Sequence, residues 1–146
     1  MSNDLIKNLR TLTADATVLY QKLRHFHWNV RGKNFFGLHL KFEELYTEWA
    51  THIDSFAERS LTVGGRPPVT LKENLELSRL KEQPETLNDK GMVAELISDL
   101  NTMVANLGQT IEVAEKAGDR GSVAVLDGVR EGQEKTIWML RAFLEG

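Results

Sequence analysis

The chain has 146 residues, is 41% hydrophobic, carries a formal net charge of −3 and contains no cysteine. This length allows one compact domain with its own core, and the lack of cysteine excludes disulfide frameworks, zinc fingers and thiol catalysis. No apolar run approaches the roughly 20 residues of a membrane span, and MSNDLIKNLR lacks the layout of a signal peptide. We therefore expect a single cytoplasmic domain over residues 1–146.

The first two helices are predicted from apolar residues that recur at intervals of three and four. The first stripe occupies residues 5–26 and the second occupies residues 35–56. Asn34 is a candidate N-cap for the second helix, and the GGRPP segment at residues 64–68 should end it. The short link between the two stripes predicts an antiparallel pair of helices.

The second half of the chain repeats this arrangement. A third stripe occupies residues 93–114, and a fourth occupies residues 125–144 with Ser122 as its candidate cap. The link between the second and third helices takes about 25 residues, and TLKE at residues 70–73 resembles a capping box that opens a short helix. We therefore predict an all-α protein, a ferritin-like four-helix bundle with a long crossover between helices 2 and 3 that carries a short extra helix.

Polar residues form a separate face of the second helix. At 100° per residue, His39, Glu43, Asp54 and Glu58 fall within about 100° of one another, roughly 130° from the apolar stripe. Each pair spaced by four is, by itself, ordinary for an exposed helix, and Arg59 is an alternative salt-bridge partner for the carboxylates. Four such residues on one face outside the core favour a metal-binding function.

Axial distances decide how these residues can meet. Asp54 lies 15 residues beyond His39, which is about 22 Å along a helix, so one subunit cannot close both around one metal. If two copies of the helix pack antiparallel about a two-fold axis near residues 48–49, His39 of one copy comes level with Asp54 of the other. The same operation brings Glu43 to Glu58, and two identical sites form per dimer.

A histidine of the first helix completes the predicted site. His27 lies just before the short turn into the second helix, so we expect it near His39. Two imidazoles and up to three carboxylates with open positions suit Fe(II). Structural zinc sites are closed and usually rich in cysteine, so they fit this ligand set poorly.

The same residues carry a family resemblance. HWNVRGKNFFGLHLKFEELY, then HIDSFAERSLTVGG and finally IWMLRAFL, resemble the signature of the Dps family, mini-ferritins named as DNA-binding proteins from starved cells. The resemblance implies a hollow dodecamer that stores ferric mineral and protects against oxidative damage. It also implies that Fe(II) is oxidised, preferably by hydrogen peroxide over oxygen, at ferroxidase sites shared across two-fold interfaces.

The resemblance also distributes the ligands between subunits. Matching positions place His27, His39 and Glu43 on one subunit and Asp54 and Glu58 on its partner, for a two-iron site. Glu43 stands where many relatives have aspartate. The E-x-x-H pairs of ferritins are absent from the sequence, which excludes an iron site of that type inside one bundle.

The role of Trp28 and the choice between functions stay open at this point. Trp28 is a candidate to orient the site or quench a stray oxidant, with plain packing as the alternative. The alternative function is nucleoid DNA binding with little ferroxidase role, and a scaffold bundle without metal is a third. Since the N-terminus offers only Lys7 and Arg10 against Asp4, and the overall charge is negative, we predict weak or no DNA binding.

Other polar residues are assigned by their position on the helices. Glu44 and Glu48 would nucleate mineral if they faced a cavity, but a solvated acidic face is at least as good an interpretation. Two histidines share no face with the metal ligands and are predicted to be non-ligating, His25 exposed and His52 structural. Three acidic residues are candidates for an iron uptake pore: Asp119, Asp127 and Glu131.

Overall fold

Five helices and no strands occupy residues 3–146, the part of the chain that the computed structural model describes. They are α1 (Asn3–Asn29), α2 (Phe35–Thr62), α3 (Leu71–Leu77), α4 (Asp89–Lys116) and α5 (Arg120–Glu145). The four long helices match the four predicted stripes, and α3 is the short helix predicted in the crossover. Within these residues, no helix is both long and apolar enough to cross a lipid bilayer.

The apolar stripes of the four long helices meet in one core. Helix α1 packs along α2, and α4 packs along α5. The largest fully buried side chains include Trp49, Phe26, Phe42 and Phe56, and burying one such side chain stabilises the fold by roughly 1.5–3 kcal/mol. Trp49 is therefore a core residue, whereas Trp138 is 64% exposed in the single chain.

The crossover is tied to α1 by a buried carboxylate. Asp15 is fully buried and accepts hydrogen bonds from the backbone N–H of Arg79 at 2.6 Å and from its Nη2 at 2.6 Å. A buried carboxylate requires such charged partners. This contact fixes the end of α3 against α1 and so sets the path of the crossover toward α4.

A second ion cluster joins α1 to α4. Lys22, which is 6% exposed, places its Nζ 2.6 Å from Asp99 Oδ2 and 2.9 Å from Glu95 Oε2. Burial raises the pKa of Asp99, and the Lys22 ammonium opposes that rise. The cluster therefore balances desolvation against charge pairing inside the bundle.

The cap of α5 differs from the prediction. Asp119, not Ser122, is the N-cap, and its carboxylate accepts a hydrogen bond from the Ser122 N–H at 3.1 Å. Burial acts to raise the pKa of Asp119, but hydrogen bonds from Ser122 and the charge of Arg59 outweigh it and lower the pKa. The Ser122 prediction is wrong because α5 begins a turn before its first apolar stripe residue, Val125.

The other two predicted N-caps, those of α2 and α3, lie at the positions that the sequence predicted. Thr70 caps α3, and its Oγ1 accepts from the Glu73 N–H at 3.0 Å, while Glu73 Oε1 accepts from the Val69 N–H at 2.8 Å. Asn34 does occupy the N-cap position of α2, but its side chain makes no capping hydrogen bond. Its Nδ2 donates instead to Asp89 Oδ2 at 2.8 Å, which ties the start of α2 to the start of α4.

Candidate metal centre

Two histidines face each other where α1 passes into α2. His27 lies in the last turn of α1 and His39 in the second turn of α2, joined by the short turn at residues 30–34. Their rings stack with centroids 3.8 Å apart and an interplanar angle of 13°. The proximity expected from the short turn is therefore present in the single chain.

Reciprocal hydrogen bonds fix the orientation of this histidine pair. His27 Nδ1 lies 2.7 Å from the His39 carbonyl oxygen, and His39 Nδ1 lies 2.7 Å from the His27 carbonyl oxygen. A carbonyl oxygen can only accept, so each Nδ1 carries its hydrogen. In the neutral imidazoles both Nε2 atoms then keep a free lone pair, which is the state that binds a metal.

Neighbouring rings hold the histidine pair in place. Phe35 stacks on His39 at 4.8 Å, and Tyr46 meets the His27 ring edge-on at 5.3 Å. His27 is only 7% exposed, so its ring cannot turn away without displacing these neighbours. The nitrogen half of the predicted site is therefore preorganised.

Glu43 places a carboxylate beside the histidine pair. Its Oε1 lies 3.8 Å from His27 Nε2, and its side chain is 52% exposed. Trp28 is 54% exposed and lies beneath the guanidinium of Arg24, 4.8 Å from the ring centroid to Cζ. Trp28 therefore contacts Arg24 rather than stacking on the histidine pair.

The other two predicted ligands lie far from the histidine pair. Asp54 and Glu58 are exposed residues of α2, and Asp54 is about 22 Å from His39 along the helix axis. Over residues 3–146, no group of three or more histidine, cysteine, aspartate or glutamate side chains is placed to hold a metal ion. A single chain thus stacks His27 on His39 and places Glu43 3.8 Å from His27, but it does not assemble a complete ligand set, and Asp54 and Glu58 lie elsewhere on α2.

The salt-bridge alternative for Asp54 and Glu58 is not observed. Arg59 points to α5, where its Nη2 donates to Asp119 Oδ1 at 2.8 Å and its Nε donates to Ser122 Oγ at 2.8 Å. Among the described residues, neither Asp54 nor Glu58 takes part in an ion pair. Both carboxylates are therefore accessible to a partner outside the chain.

The remaining histidines are engaged elsewhere. His25 is half-buried rather than exposed, with Nε2 2.9 Å from the Glu85 carbonyl oxygen of the crossover. His52 Nε2 lies 2.8 Å from Glu48 Oε2. The three acidic residues predicted for an uptake pore are not equivalent, because Asp119 is buried against Arg59 whereas Asp127 and Glu131 are exposed.

Comparisons with known proteins agree with this architecture. The family model for the ferritin-like domain matches residues 6–146. The chain is 45% identical over 144 residues to "DNA protection during starvation protein 2" of Bacillus anthracis, covering 99% of each chain. It is also similar to the crystal structure of Dps from Staphylococcus aureus, with a TM-score of 0.95 and 43% identity over 98% of this chain and 96% of that one.

A more distant structure has the same fold. The Dps protein of Vibrio cholerae O1, described as a member of a broad superfamily of ferritin-like diiron-carboxylate proteins, superposes with a TM-score of 0.94. Its sequence identity is 35%, over 97% of this chain and 89% of that one. The predicted ferritin-like bundle and the family resemblance are both confirmed. This chain belongs to the Dps family of ferritin-like proteins.

Proposed function

We propose that this protein is an iron-storing ferroxidase that oxidises Fe(II) with hydrogen peroxide, or with oxygen, at sites shared between two subunits. The observation that carries the proposal is the pair formed by His27 and His39. Hydrogen bonds from Nδ1 to carbonyl oxygens fix both rings, and the two Nε2 atoms are left free for a metal, with Glu43 close to that of His27. Such a preorganised nitrogen pair next to an exposed carboxylate is typical of a metal site. For packing alone, apolar rings would serve better than these imidazoles.

Two copies of the chain would complete the site. Antiparallel packing of two α2 helices about a two-fold axis brings Asp54 and Glu58 of one copy to His39 and Glu43 of the other. Support for this comes from the free carboxylates, since both are exposed and unpaired within the described chain. The family fold supports further assembly of such dimers into a hollow dodecamer that holds the ferric product.

The chemistry follows from pairing two one-electron donors with one two-electron acceptor. Two Fe(II) substrate ions oxidised together reduce peroxide fully, as 2 Fe²⁺ + H₂O₂ + 2 H⁺ → 2 Fe³⁺ + 2 H₂O, and release no hydroxyl radical. Carboxylate oxygens are hard anionic ligands that favour the ferric product over the ferrous substrate. The imidazole nitrogens bind the ferrous ion on arrival, and removal of iron and peroxide together would protect the cell from oxidative damage.

DNA protection in this proposal comes from that chemistry rather than from DNA binding. The names of relatives refer to DNA protection during starvation, which is compatible with removing iron and peroxide. Binding to the DNA backbone needs clustered lysine and arginine, whereas this chain has 18 basic and 21 acidic residues and a net charge of −3. Assembly would multiply that negative charge.

The first experiment measures the oxidation itself. Protein loaded with Fe(II) without oxygen is given a pulse of peroxide while ferric absorbance and hydroxyl-radical yield are recorded. We expect about two Fe(II) oxidised per peroxide with little radical, as the two-electron balance requires. His39→Ala and Asp54→Ala should each abolish this reaction, whereas His25→Asn should not, because His25 contacts the crossover.

Mixed assemblies test whether the sites are shared. In a pair made of one His39→Ala chain and one Asp54→Ala chain, one site carries both defects and the other carries neither. Random one-to-one assembly should therefore restore about a quarter of the parental sites. If each site lay within one chain, every site would keep its defect and no activity would return. Iron oxidation in the parent equal to that of free iron in buffer would refute the ferroxidase itself.

A further inference from the structure

A second polar cluster lies where α2 faces α5, away from the histidine pair. Glu48 Oε2 accepts two hydrogen bonds, from His52 Nε2 at 2.8 Å and from Gln133 Nε2 at 2.7 Å. Glu48 and His52 are one helical turn apart on α2, and Gln133 comes from α5. The three side chains therefore converge on one carboxylate oxygen from two helices.

One polar member of this cluster is buried without full hydrogen bonding. Gln133 is fully buried, and its Oε1 has no hydrogen-bond partner among the described residues. A buried amide oxygen left unpaired costs about 1–3 kcal/mol, and such groups in native proteins usually have a functional or solvent-mediated reason. The fully buried Trp49 meets the His52 ring edge-on at 4.9 Å, and its Nε1 is also unpaired within residues 3–146. The cluster thus contains a buried acceptor that no described residue satisfies.

We propose that Glu48, His52 and Gln133 form a second binding site, for one divalent transition-metal ion per chain. Ligands at right angles on a metal, each at about 2.1 Å, lie about 3.0 Å apart. The observed separations of 2.7 and 2.8 Å around Glu48 Oε2 come within a few tenths of an ångström of that spacing. A metal ion would take the place of the hydrogen that His52 Nε2 now donates.

The unpaired amide oxygen supplies the third ligand. A half-turn of the Gln133 amide places Oε1 where Nε2 now lies. The turn gives up the hydrogen bond from Nε2 to Glu48 Oε2, whereas Oε1 has no hydrogen bond to lose among the described residues. Without a cation, the turned oxygen would face the Glu48 carboxylate and be repelled. With a cation between them, both oxygens become ligands, so the metal itself selects the turned amide.

The ligand set and its accessibility define the class of ion. One imidazole, one carboxylate and one amide oxygen suit Co²⁺, Zn²⁺ or Fe²⁺ better than Mg²⁺ or Ca²⁺, which prefer oxygen alone. The Glu48 side chain is 39% exposed, which leaves an open approach and room for water ligands. The hydrogen bond from His52, followed by that from Gln133, lowers the pKa of Glu48, so its carboxylate is ionised before the metal arrives.

The second site is separate from the shared iron centre. Glu48 lies nine residues beyond His39, which is half a revolution around α2 and about 13 Å along it. The two sites therefore share no ligand and occupy opposite sides of the same helix. Metal binding at Glu48 does not depend on subunit pairing or on iron oxidation.

Cobalt titration of a protein with the first site disabled tests the inference. In the His39→Ala/Asp54→Ala background, Co²⁺ should bind with visible d–d absorption from mixed nitrogen and oxygen ligands. Adding His52→Gln, which keeps an N–H donor for Glu48 but removes the imidazole, should lower the stoichiometry by one Co²⁺ per chain. His25→Asn in the same background is the matched control and should leave the stoichiometry unchanged.

A gain-of-function variant distinguishes loss of the metal site from a loss of cobalt binding that misfolding would cause. Gln133→Glu offers a charged oxygen in place of the amide, so Co²⁺ should bind about tenfold more tightly. Equal cobalt stoichiometry and spectra with and without His52→Gln, or no tightening in Gln133→Glu, would overturn the second site. Because the oxidising site is disabled throughout, neither result depends on whether the protein oxidises iron.

Discussion

The ion cluster of Lys22 gives the sharpest test of the energetics of this bundle. The Lys22→Met substitution keeps most of the side-chain volume and removes only the charge. It leaves Glu95 and Asp99, one turn apart on α4, without the ammonium that now lies 2.9 and 2.6 Å from them. We therefore expect a large loss of stability at neutral pH.

The magnitude follows from the burial of the three groups. Breaking a buried ion pair by removing one partner typically costs 3–5 kcal/mol. Lys22 and Asp99 have side chains only 6% and 12% exposed, but Glu95 is 25% exposed and can be hydrated in part. The expected loss in the free energy of unfolding is therefore at the low end of that range, about 3 kcal/mol at pH 7.

The loss should depend on pH in a defined direction. Burial raises the pKa of Asp99 above its ordinary value, so the folded state binds more protons than the unfolded state in the pH window above that value. Stability therefore falls as pH rises through this window. Without the Lys22 cation the folded pKa rises further and the window extends upward. The penalty of Lys22→Met should be largest at pH 7 and shrink as the pH is lowered toward 4.

Urea denaturation at fixed protein concentration measures both effects, because the proposed assembly would make the apparent stability depend on concentration. The parent, Lys22→Met and the double variant Lys22→Met/Asp99→Asn are compared at pH 7 and pH 5. Neutralising Asp99 should return a large part of the lost stability at pH 7. A penalty below about 1 kcal/mol at pH 7, or one that grows on acidification, would show that the carboxylates are hydrated and that the argument from burial is wrong.

Two further predictions concern packing and partners. Gly65→Ala should destabilise the fold by about 1–3 kcal/mol, because its Cβ would lie 2.5 Å from Ile6 Cγ2 and 3.2 Å from the Ser60 carbonyl oxygen. Thermal denaturation measures this, with Gly128→Ala as the control, since a Cβ there would have no described residue of another element within 4 Å. A gel shift at low salt and neutral pH should show no tight DNA complex, and a tight complex would contradict the charge argument.

The helices were predictable from the sequence because their evidence is local. Periodic apolar residues and turn-forming residues lie within each segment, so all four long helices and the short α3 were found. The cap of α5 was missed because α5 begins a turn before Val125, the first apolar residue of its predicted stripe, so the capping residue lies upstream of the predicted start. Asp119 caps the helix through the Ser122 N–H, and the further contact from Arg59, 60 positions away on α2, follows no local pattern.

The candidate site was predictable to a similar extent. Spacing along α2 and the short turn after α1 were enough to bring His27 to His39 and to separate both from Asp54. The reciprocal hydrogen bonds from the two imidazoles to backbone carbonyl oxygens were not predictable. Every residue has a carbonyl group, and only the fold determines which one accepts. The cluster at Glu48 was missed for a related reason, since Gln133 lies 85 residues away and gives no pattern of its own.

In the proposed iron site, the histidine ligands are held in place by the single chain, whereas the carboxylate ligands Asp54 and Glu58 are not. This difference affects how iron would leave the site. The imidazoles are fixed by two carbonyl oxygens and two neighbouring rings, so binding a metal costs them little further entropy. Asp54 and Glu58 are exposed and form no ion pair within residues 3–146, and ordering a long side chain such as Glu58 costs up to about 2 kcal/mol. That cost falls on the carboxylates, the ligands that favour Fe(III). At the proposed site, ferric iron would then be held less tightly than by rigid carboxylates, which would allow it to move on to the mineral.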